Sequence, residues 1–402
     1  MGLMGVAAIA GMFELPPRRR PVGGSEFTIE QYARLAGAVV ADAGLDGRVV
    51  DGLVTGHLGE SSTFVPSTIA EYLGIPANFA EIVDLGGANA VGMVWRAAAA
   101  VELGICQAVL CVIPGSWDVP TSPRKPVPGL EERSWFGASS NLYGSPQAEF
   151  DVPFGNLGQN APYAQIARRY GEVYGYDDRA MAKIAVDQRT NACAMPDAVF
   201  HGQPITVEDV LASPLIADPL HRLEIVMPCQ GGAAVLVTNA DLARRSRNRP
   251  VWIKGFGERV PYKTPTYADD LLVSPIKHAA AQAFAMAGLA PDDVDMVSLY
   301  DCYTITVLMS LEDAGFCEKG KGMQFVRDHD LTFRGDFPMN TAGGQLSFGQ
   351  AGSAGGMHHV CDATRQLTGR AGEAQVADCD IAFVSGNGGI MSEQGALVLQ
   401  GD

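Results

Sequence analysis

The sequence predicts an α/β protein in which helices cover a parallel sheet, and three observations support this fold class. The first 115 residues alternate strand-like and helix-like segments, a long segment rich in proline and glycine follows, and the alternation starts again near residue 250. Alternation of this kind is typical of a parallel sheet. Two stretches, 84–115 and 340–389, each combine a glycine-rich turn, a helix and an apolar strand that ends in glycines, which indicates internal duplication.

Periodicity then assigns the individual elements. The N-terminal apolar run precedes the arginines, so it indicates a first strand and a loop rather than a signal peptide. Further strands are predicted over 49–56, 79–85, 107–115, 231–239, 250–258, 294–301, 381–389 and 395–400. Helices are predicted over 28–45, 66–74, 89–103, 160–175, 178–195, 273–288, 304–315 and 356–368. We expect an N-terminal half over 1–245, with a loop domain of about 116–200 inserted, and a C-terminal half over 246–402.

Composition limits the classes of partner. The 402 residues are 47% hydrophobic, which is enough for a large core. The net charge of −16 opposes nucleic acid and anionic membranes as partners, and no apolar run reaches the roughly 18 residues of a membrane helix. The eight cysteines form no Cys-x-x-Cys pair, so neither a disulfide framework nor a zinc ribbon is indicated, and a cytoplasmic location is expected.

The segment 116–165 is too long and too rich in proline, glycine and aromatics for an ordinary connection, which indicates a functional loop. Its aromatics could line an acyl pocket or equally a subunit interface. They are Trp117, Trp135, Phe136, Tyr143 and Phe150. The basic stretches 122–126 and 167–170 could bind the phosphates of an adenine nucleotide or lie on solvated faces.

Four stretches together resemble the thiolase superfamily, and within it the sterol-carrier-protein-type thiolase branch. They are "FGNLGQNAPYAQIARRYGEVYGYDDRAMAKIAVDQRTNACAMPDA" (154–198), "SPLIADPLHRLEIVMPCQGGAAVLV" (213–237), "YDCYTITVLMSLEDAGFCEKG" (300–320) and "NTAGGQLSFGQAGSAGG" (340–356). Their order and spacing carry the resemblance, which spans nearly the whole chain. It implies a duplicated, five-layered αβαβα fold with an inserted loop domain, and a homodimer.

The resemblance also shows which thiolase groups are missing. Gly87 stands where the family has its nucleophilic cysteine, Gln350 where it has a histidine, and Ser385 where it has a second cysteine. The fourth catalytic segment is matched by the sequence "YDCY" (300–303). No acyl-enzyme can form on glycine, and neither glutamine nor serine is a competent base near neutral pH, so ordinary thiolysis is excluded.

The glycine turns remain, and their backbone N–H groups near Gly87 and Gly389 can stabilise a thioester enolate. This combination favours retro-aldol cleavage. The resemblance extends to lipid-transfer-protein aldolases that shorten steroid side chains, and it implies a small partner protein with a zinc ribbon and an OB-type fold. That family has a tyrosine at the position of Gln350. Coenzyme A is expected as part of the substrate, with no permanently bound cofactor.

Each candidate residue has a functional and an ordinary interpretation. Tyr300 and Tyr303 are candidate acids or bases, or core aromatics; Asp301 would orient a tyrosine, or cap the helix that begins at 304. His57 could reach a cleft or be a partly buried histidine, and Gln350 could donate a hydrogen bond to the substrate.

Further candidates surround the expected oxyanion site. Asn89 is a candidate substrate-binding residue or a helix cap, and Asn387 would adopt left-handed geometry or hold a water. The candidate oxyanion and substrate-binding set is Gly87, Asn89, Ser385, Asn387, Gly388 and Gly389. His358 and His359 are expected to be structural or surface residues, and because adjacent helical residues point about 100° apart, no metal is proposed.

The primary hypothesis is an acyl-CoA aldolase that cleaves a β-hydroxyacyl-CoA with a bulky hydrophobic side chain, such as a steroid. It would release a ketone or aldehyde and acetyl- or propionyl-CoA. One alternative is a noncatalytic scaffold subunit that binds acyl-CoA for a partner. Another is an acyltransferase or Claisen-type enzyme, for which one of the scattered cysteines would have to replace the missing nucleophile.

Overall fold

The computed structural model describes residues 5–19, 26–115, 144, 146–156, 158–263 and 265–402. The strands of the first half are β1 (Ala7–Arg18), β2 (Gly52–Thr55), β3 (Phe79–Ile82), β4 (Ala108–Gly115), β5 (Leu215–Ala217), β6 (Leu220–His221) and β7 (Gln230–Asn239). Its helices are α1 (Thr28–Ala43), α2 (Val65–Leu73), α3 (Asn89–Glu102), α4 (Pro146–Phe150), α5 (Asn160–Tyr174), α6 (Asp178–Cys193), α7 (Val207–Ala212) and α8 (Ala240–Arg245).

The second half repeats much of this order. Its strands are β8 (Val251–Arg259), β9 (Met296–Ser298), β10 (Ile381–Gly388) and β11 (Glu393–Gly401). Its helices are α9 (Ile276–Ala287), α10 (Thr304–Asp313), α11 (Gly322–Asp328), α12 (Gly344–Ser347) and α13 (Gly355–Leu367). The predicted halves meet between α8 and β8, and the boundary at 245/246 stays a prediction.

The main sheet has the strand order β3-β2-β4-β7-β1-β8-β11-β10-β9. Strand β2 is parallel to β3 and β4, and β9 is parallel to β10, but the central strands β7, β1, β8 and β11 pair antiparallel. The sheet is therefore mixed, which corrects the predicted parallel sheet. The short turn between β10 and β11 requires one of the antiparallel pairs, because strands joined by so few residues cannot run parallel.

Three apolar clusters place five layers, as the resemblance implied. Helices α1 and α2 cover the outer face of the first half, and α9 and α10 cover the outer face of the second. Helices α3 and α13 lie between the halves and pack against strands of both. The layer order is thus αβαβα, and the two inner helices bring the carboxyl ends of strands from both halves close together.

The sequence missed several short elements, among them α7, α8, α11 and the β5–β6 hairpin, because seven residues or fewer show little periodicity. In the expected loop domain, α5 and α6 agree with the prediction and Phe150 is exposed. The other aromatics (Trp117, Trp135, Phe136 and Tyr143) and the basic stretch 122–126 lie outside the described residues.

The basic stretch 167–170 was a candidate phosphate site, but its arginines pair with neighbouring carboxylates. Arg168 pairs with Asp218, and Arg169 with Glu172. The stretch is therefore a solvated, charge-paired face. In the part of the chain that is described, no helix is long and apolar enough to cross a membrane.

Candidate active site

A cavity of about 410 Å³ lies where β2, β3, β9 and β10 end. Carboxyl ends of parallel strands are the usual place for ligands in α/β proteins. Its described lining comes from both halves: His57, Asp84, Gly86, Gly87, Asn89, Gln159, Tyr163, Val226, Lys263, Tyr300, Cys302, Gln350, Gly352, Ser353, Asn387, Gly388 and Gly389. The cavity thus contains most of the residues that the sequence singled out.

Gly87 lies directly against Tyr300. A Cβ atom on residue 87 would lie 2.1 Å from the Tyr300 hydroxyl oxygen and 2.3 Å from its Cζ. Real Cβ atoms do not approach other atoms this closely, so a side chain at 87 and this position of the Tyr300 ring exclude each other. The phenol of Tyr300 occupies the space in which a nucleophilic side chain on residue 87 would have to lie.

The two glycine turns are in contact. A Cβ atom on Gly86 would lie 3.2 Å from the Gly388 Cα and 3.3 Å from the Gly389 nitrogen. None of the hydrogen bonds among the described residues uses the N–H of Gly87 or of Gly389. Both glycines line the cavity, so their N–H groups are candidate donors to a developing oxyanion.

Tyr300 is buried, and its backbone is fixed by a hydrogen bond to β10. Its backbone N–H donates to the Ser385 hydroxyl at 2.9 Å, which places Ser385 under the strand rather than in the cavity. Burial raises the pKa of Tyr300 well above its usual range, and the neighbouring Cys302 adds to this effect. Tyr300 is therefore a phenol at neutral pH, suited to donate a proton and unsuited to accept one.

Asp301 and Tyr303 do not line the cavity. The Asp301 carboxylate accepts backbone N–H groups from Gln345 (2.8 Å) and Leu346 (3.0 Å). The alternative that it caps the helix beginning at 304 was wrong, since that helix has no side-chain cap. The Tyr303 hydroxyl donates to Asn160 at 2.6 Å and its ring is fully buried, which leaves Tyr303 a core aromatic.

The two asparagines differ from expectation. Asn89 does not cap α3; its side-chain oxygen accepts the Leu85 N–H and so fixes the turn that precedes Gly87. Asn387 is not left-handed, because it lies within β10, and its Nδ2 donates to the Tyr163 hydroxyl at 2.9 Å. Both asparagines line the cavity while their side chains support its walls.

Gln350 also lines the cavity, with its side chain beside Tyr300. Its Nε2 donates to the Gly352 carbonyl at 3.0 Å, whereas its buried Oε1 has no partner. An unpaired buried amide oxygen is costly unless a ligand satisfies it. The Gln350 oxygen is therefore a ready acceptor beside the Tyr300 phenol.

His57, Lys263 and Asp84 form an exposed polar mouth. His57 follows β2 and reaches the cavity from the surface, which corrects the expectation of partial burial. Sequence reasoning missed Lys263, Asp84 and Tyr163, because no local motif marks them and only the fold brings them to the cavity. In the described ranges, no group of three histidine, cysteine, aspartate or glutamate side chains could hold a metal.

Comparisons with known proteins identify the family of the chain. Residues 257–401 match the family model described as "Thiolase C-terminal domain-like". The chain is 34% identical over 91% of its length, and 91% of the relative's, to a steroid side-chain-cleaving aldolase of Thermomonospora curvata. It is 33% identical to a 17-hydroxy-3-oxo-4-pregnene-20-carboxyl-CoA lyase of Mycobacterium tuberculosis, over 91% of this chain and 92% of that one.

A solved structure shares the whole architecture. The structure titled "Ltp2-ChsH2(DUF35) aldolase" superposes with a TM-score of 0.85 at 31% identity, covering 100% of this chain and 99% of that chain. The similarity therefore includes both halves and the helices between them.

Proposed function

The chain belongs to the aldolase branch of the thiolase superfamily, and we propose on this basis that it cleaves a β-hydroxyacyl-CoA by a retro-aldol reaction. The observation that carries the proposal is the Tyr300 phenol lying in the space of a side chain at Gly87, beside two unpaired backbone N–H groups. Such a site lacks a nucleophile but keeps an oxyanion hole and an acid.

The reaction needs one proton removed and one returned. A base takes the proton of the β-hydroxyl, the Cα–Cβ bond breaks to give a ketone or aldehyde, and the bonding pair passes into the thioester as an enolate. The N–H groups of Gly87 and Gly389 stabilise the enolate oxygen. Tyr300 protonates Cα, and the proton held by the base restores Tyr300 through solvent.

His57 is the candidate base. It lines the mouth of the cavity, and imidazole is the side chain that most often removes protons near neutral pH. Tyr300 cannot take this role, because burial keeps it protonated. The proposed acid and base thus come from different halves and line the same cavity.

An acyltransferase would require a thiolate, and the cavity offers a poor one. Burial raises the pKa of Cys302 to about 11, so its thiol stays protonated near neutral pH. Burial also raises the pKa of Cys229. A noncatalytic scaffold would not require a buried phenol and an unpaired amide oxygen facing the same cavity.

The proposed substrate carries coenzyme A, and no other cofactor is needed. The names of the two relatives support a steroid-like acyl group. A cavity of about 410 Å³ is at the small end for ligand sites, so it would hold the reacting carbons while the remainder extends outward. We further propose a small zinc-ribbon and OB-fold partner, supported by the two-component name of the similar aldolase structure. We also propose a homodimer, which the resemblance to thiolases implies.

The substitution Tyr300→Phe tests the proposal. The assay follows the release of short acyl-CoA from β-hydroxyacyl-CoA by the purified chain, with and without the proposed partner protein. Turnover is expected to fall by about 10²- to 10⁴-fold, the usual contribution of a general acid. Tyr170→Phe is the matched control, since Tyr170 is buried and donates to Glu312 away from the cavity. Wild-type turnover in Tyr300→Phe, or no cleavage by the wild type in either preparation, would refute the proposal.

A further inference from the structure

The cavity contains a second buried phenol, that of Tyr163 on α5. Tyr163 lines the cavity and is only 1% exposed. Its ring stacks on that of Tyr303, with the ring centroids 4.1 Å apart, and the Tyr303 hydroxyl donates to Asn160 at the start of α5. Tyr303 therefore holds the Tyr163 ring in place, and the hydrogen bonds of the Tyr163 hydroxyl determine what it can offer a ligand.

A chain of side-chain amides leads to this hydroxyl from a backbone N–H group. Ile276 is the first residue of α9, so its N–H has no partner within the helix, and it donates to Gln394 Oε1 at 2.6 Å. Gln394 Nε2 donates to Asn387 Oδ1 at 2.9 Å, and Asn387 Nδ2 donates to the Tyr163 hydroxyl oxygen at 2.9 Å. Gln394 and Asn387 lie opposite each other in β11 and β10. All three hydrogen bonds thus run in one direction, toward Tyr163.

The backbone N–H fixes that direction. The oxygen and nitrogen of a side-chain amide are assigned from their partners, and a backbone N–H can only donate. Gln394 must therefore turn its oxygen toward Ile276 and its NH₂ group toward Asn387, which orients the Asn387 amide in the same way. Because the Tyr163 oxygen receives a hydrogen from Asn387, the phenol must use its own proton elsewhere.

The proton of Tyr163 has only weak partners in the described part of the chain. The Gly389 carbonyl lies 3.4 Å from the hydroxyl oxygen, beyond the usual limit of about 3.0 Å for an O–H···O bond. The neighbouring Cys302 is a weak acceptor. Burial raises the pKa of Tyr163 well above its usual range, so the proton is present at neutral pH. Tyr163 thus offers the cavity a donor that a ligand oxygen can engage.

Two substrate oxygens lie next to the bond that breaks. The thioester oxygen has the N–H groups of Gly87 and Gly389 as candidate donors, and they match its two lone pairs. The β-oxygen gives its proton to the base and becomes an alkoxide before the Cα–Cβ bond breaks. A hydrogen bond to a charged oxygen is stronger than one to a neutral oxygen. The β-oxygen is therefore the acceptor that a further phenol would stabilise most.

We propose that Tyr163 is a substrate-binding residue that donates a hydrogen bond to the β-oxygen, and that Asn387 and Gln394 hold it in this donating state. The proton stays on Tyr163 throughout. It stabilises the β-oxygen as the hydroxyl is deprotonated, and it then contacts the oxygen of the ketone or aldehyde. This inference rests on the proposed function, because it names the substrate group that the cavity recognises: an oxygen on Cβ.

Binding tests the inference without turnover. Calorimetry gives the dissociation constants of β-oxohexanoyl-CoA and hexanoyl-CoA; the first has a β-oxygen but no hydroxyl proton, so retro-aldol cleavage does not consume it. The wild type should bind the β-oxo ester more tightly, and Tyr163→Phe should reduce this preference about 3- to 10-fold, the range for one neutral hydrogen bond. Tyr170→Phe should keep the preference, since Tyr170 lies two turns further along α5 and donates to Glu312.

Turnover and a second variant complete the test. In Tyr163→Phe, kcat for β-hydroxyacyl-CoA should fall about 10- to 100-fold, because the lost hydrogen bond is to a developing alkoxide. Gln394→Met removes the anchored amide, so Asn387 can turn and accept the Tyr163 proton itself. This variant should also lose preference for the β-oxo ester, but it should lose no more in the Tyr163→Phe background. Gln394→Met keeps the test decisive should Tyr163→Phe not fold.

The outcomes separate the two proposals. If the wild type cleaves and Tyr163→Phe keeps both kcat and the preference for the β-oxo ester, the role of Tyr163 is overturned and the aldolase function stands. Equal weakening of both esters by Tyr163→Phe would also overturn it, because Tyr163 would then not contact the β-oxygen. If the wild type does not cleave, the proposed function fails, and the two dissociation constants still decide whether Tyr163 binds an oxygen on Cβ.

Discussion

The substitution Gly87→Ala tests whether Tyr300 occupies the space of a side chain at position 87. The new Cβ would lie 2.1 Å from the phenol oxygen and 2.3 Å from the Asn387 carbonyl, whereas ordinary contact begins near 3.4 Å. The Tyr300 ring must therefore retreat by about 1.3 Å, and the Asn387 carbonyl by about 1.1 Å. Displacement of a catalytic group by roughly 1 Å costs about 100-fold in rate, or about 2.7 kcal/mol of barrier.

We therefore expect kcat of Gly87→Ala to be about 100-fold below wild type, and its unfolding free energy to fall by roughly 1 to 3 kcal/mol through overpacking. Short acyl-CoA release and thermal unfolding measure the two effects. Gly37→Ala is the control, since nothing lies within 4 Å of its added Cβ and its backbone is helical. Adding Tyr300→Ala should restore part of the stability lost by Gly87→Ala. If Gly87→Ala kept wild-type turnover and stability, the conclusion that Tyr300 occupies the space of a side chain at position 87 would be wrong.

Three further changes test other parts of the reasoning. His57→Gln should lower kcat about 100-fold by removing the base, while the exposed control His201→Gln should not; equal rates would remove His57 from the mechanism. Turnover should survive iodoacetamide at pH 7.5, because burial raises the pKa of Cys302 to about 11; rapid inactivation at that residue would favour a transferase. Burial opposes ionisation of Glu14, but His358 and Arg365 outweigh it and hold its pKa at about 2, below the ordinary 4.5. The lowered pKa gives roughly 3 kcal/mol of stability that is present above about pH 4.5 and is lost as pH falls toward 2; urea unfolding of Glu14→Gln should show a weaker loss over that range.

Local patterns predicted what local physics determines. The turn at Gly86 and Gly87 and the strand before Tyr300 were visible from glycines, apolar runs and spacing, and the five layers followed from the resemblance. The strand directions in the central sheet could not be predicted, because antiparallel pairing of β1, β7, β8 and β11 depends on how the halves join. Asn387 shows the same limit, since "SGNGG" is compatible with a turn, yet the strand continues through it to Gly388.

The residues behind the site were beyond sequence reasoning for a different reason. Gln345 and His359 contact Asp301 across 44 and 58 positions of the chain, and each is an ordinary polar residue in its own segment. Only the packing of α13 against β9 and α12 brings them to Asp301. A buried polar residue has chemical meaning through its partners, and partners that are distant in sequence leave no periodic or spacing signal.

Because the Tyr300 phenol occupies the space of a side chain at Gly87, the loss of the thiolase nucleophile is more than the removal of one side chain. Gly87 belongs to the turn before α3 in the first half, whereas Tyr300 follows β9 in the second, and the two meet only because α3 and α13 share the middle layer. A Cβ on residue 87 would overlap the Tyr300 phenol and the Asn387 carbonyl, so a cysteine there and the proposed acid exclude each other in this backbone. A change from acyl transfer to carbon–carbon cleavage therefore requires coupled changes in both halves, and either change alone gives a site that is overfilled or lacks its acid.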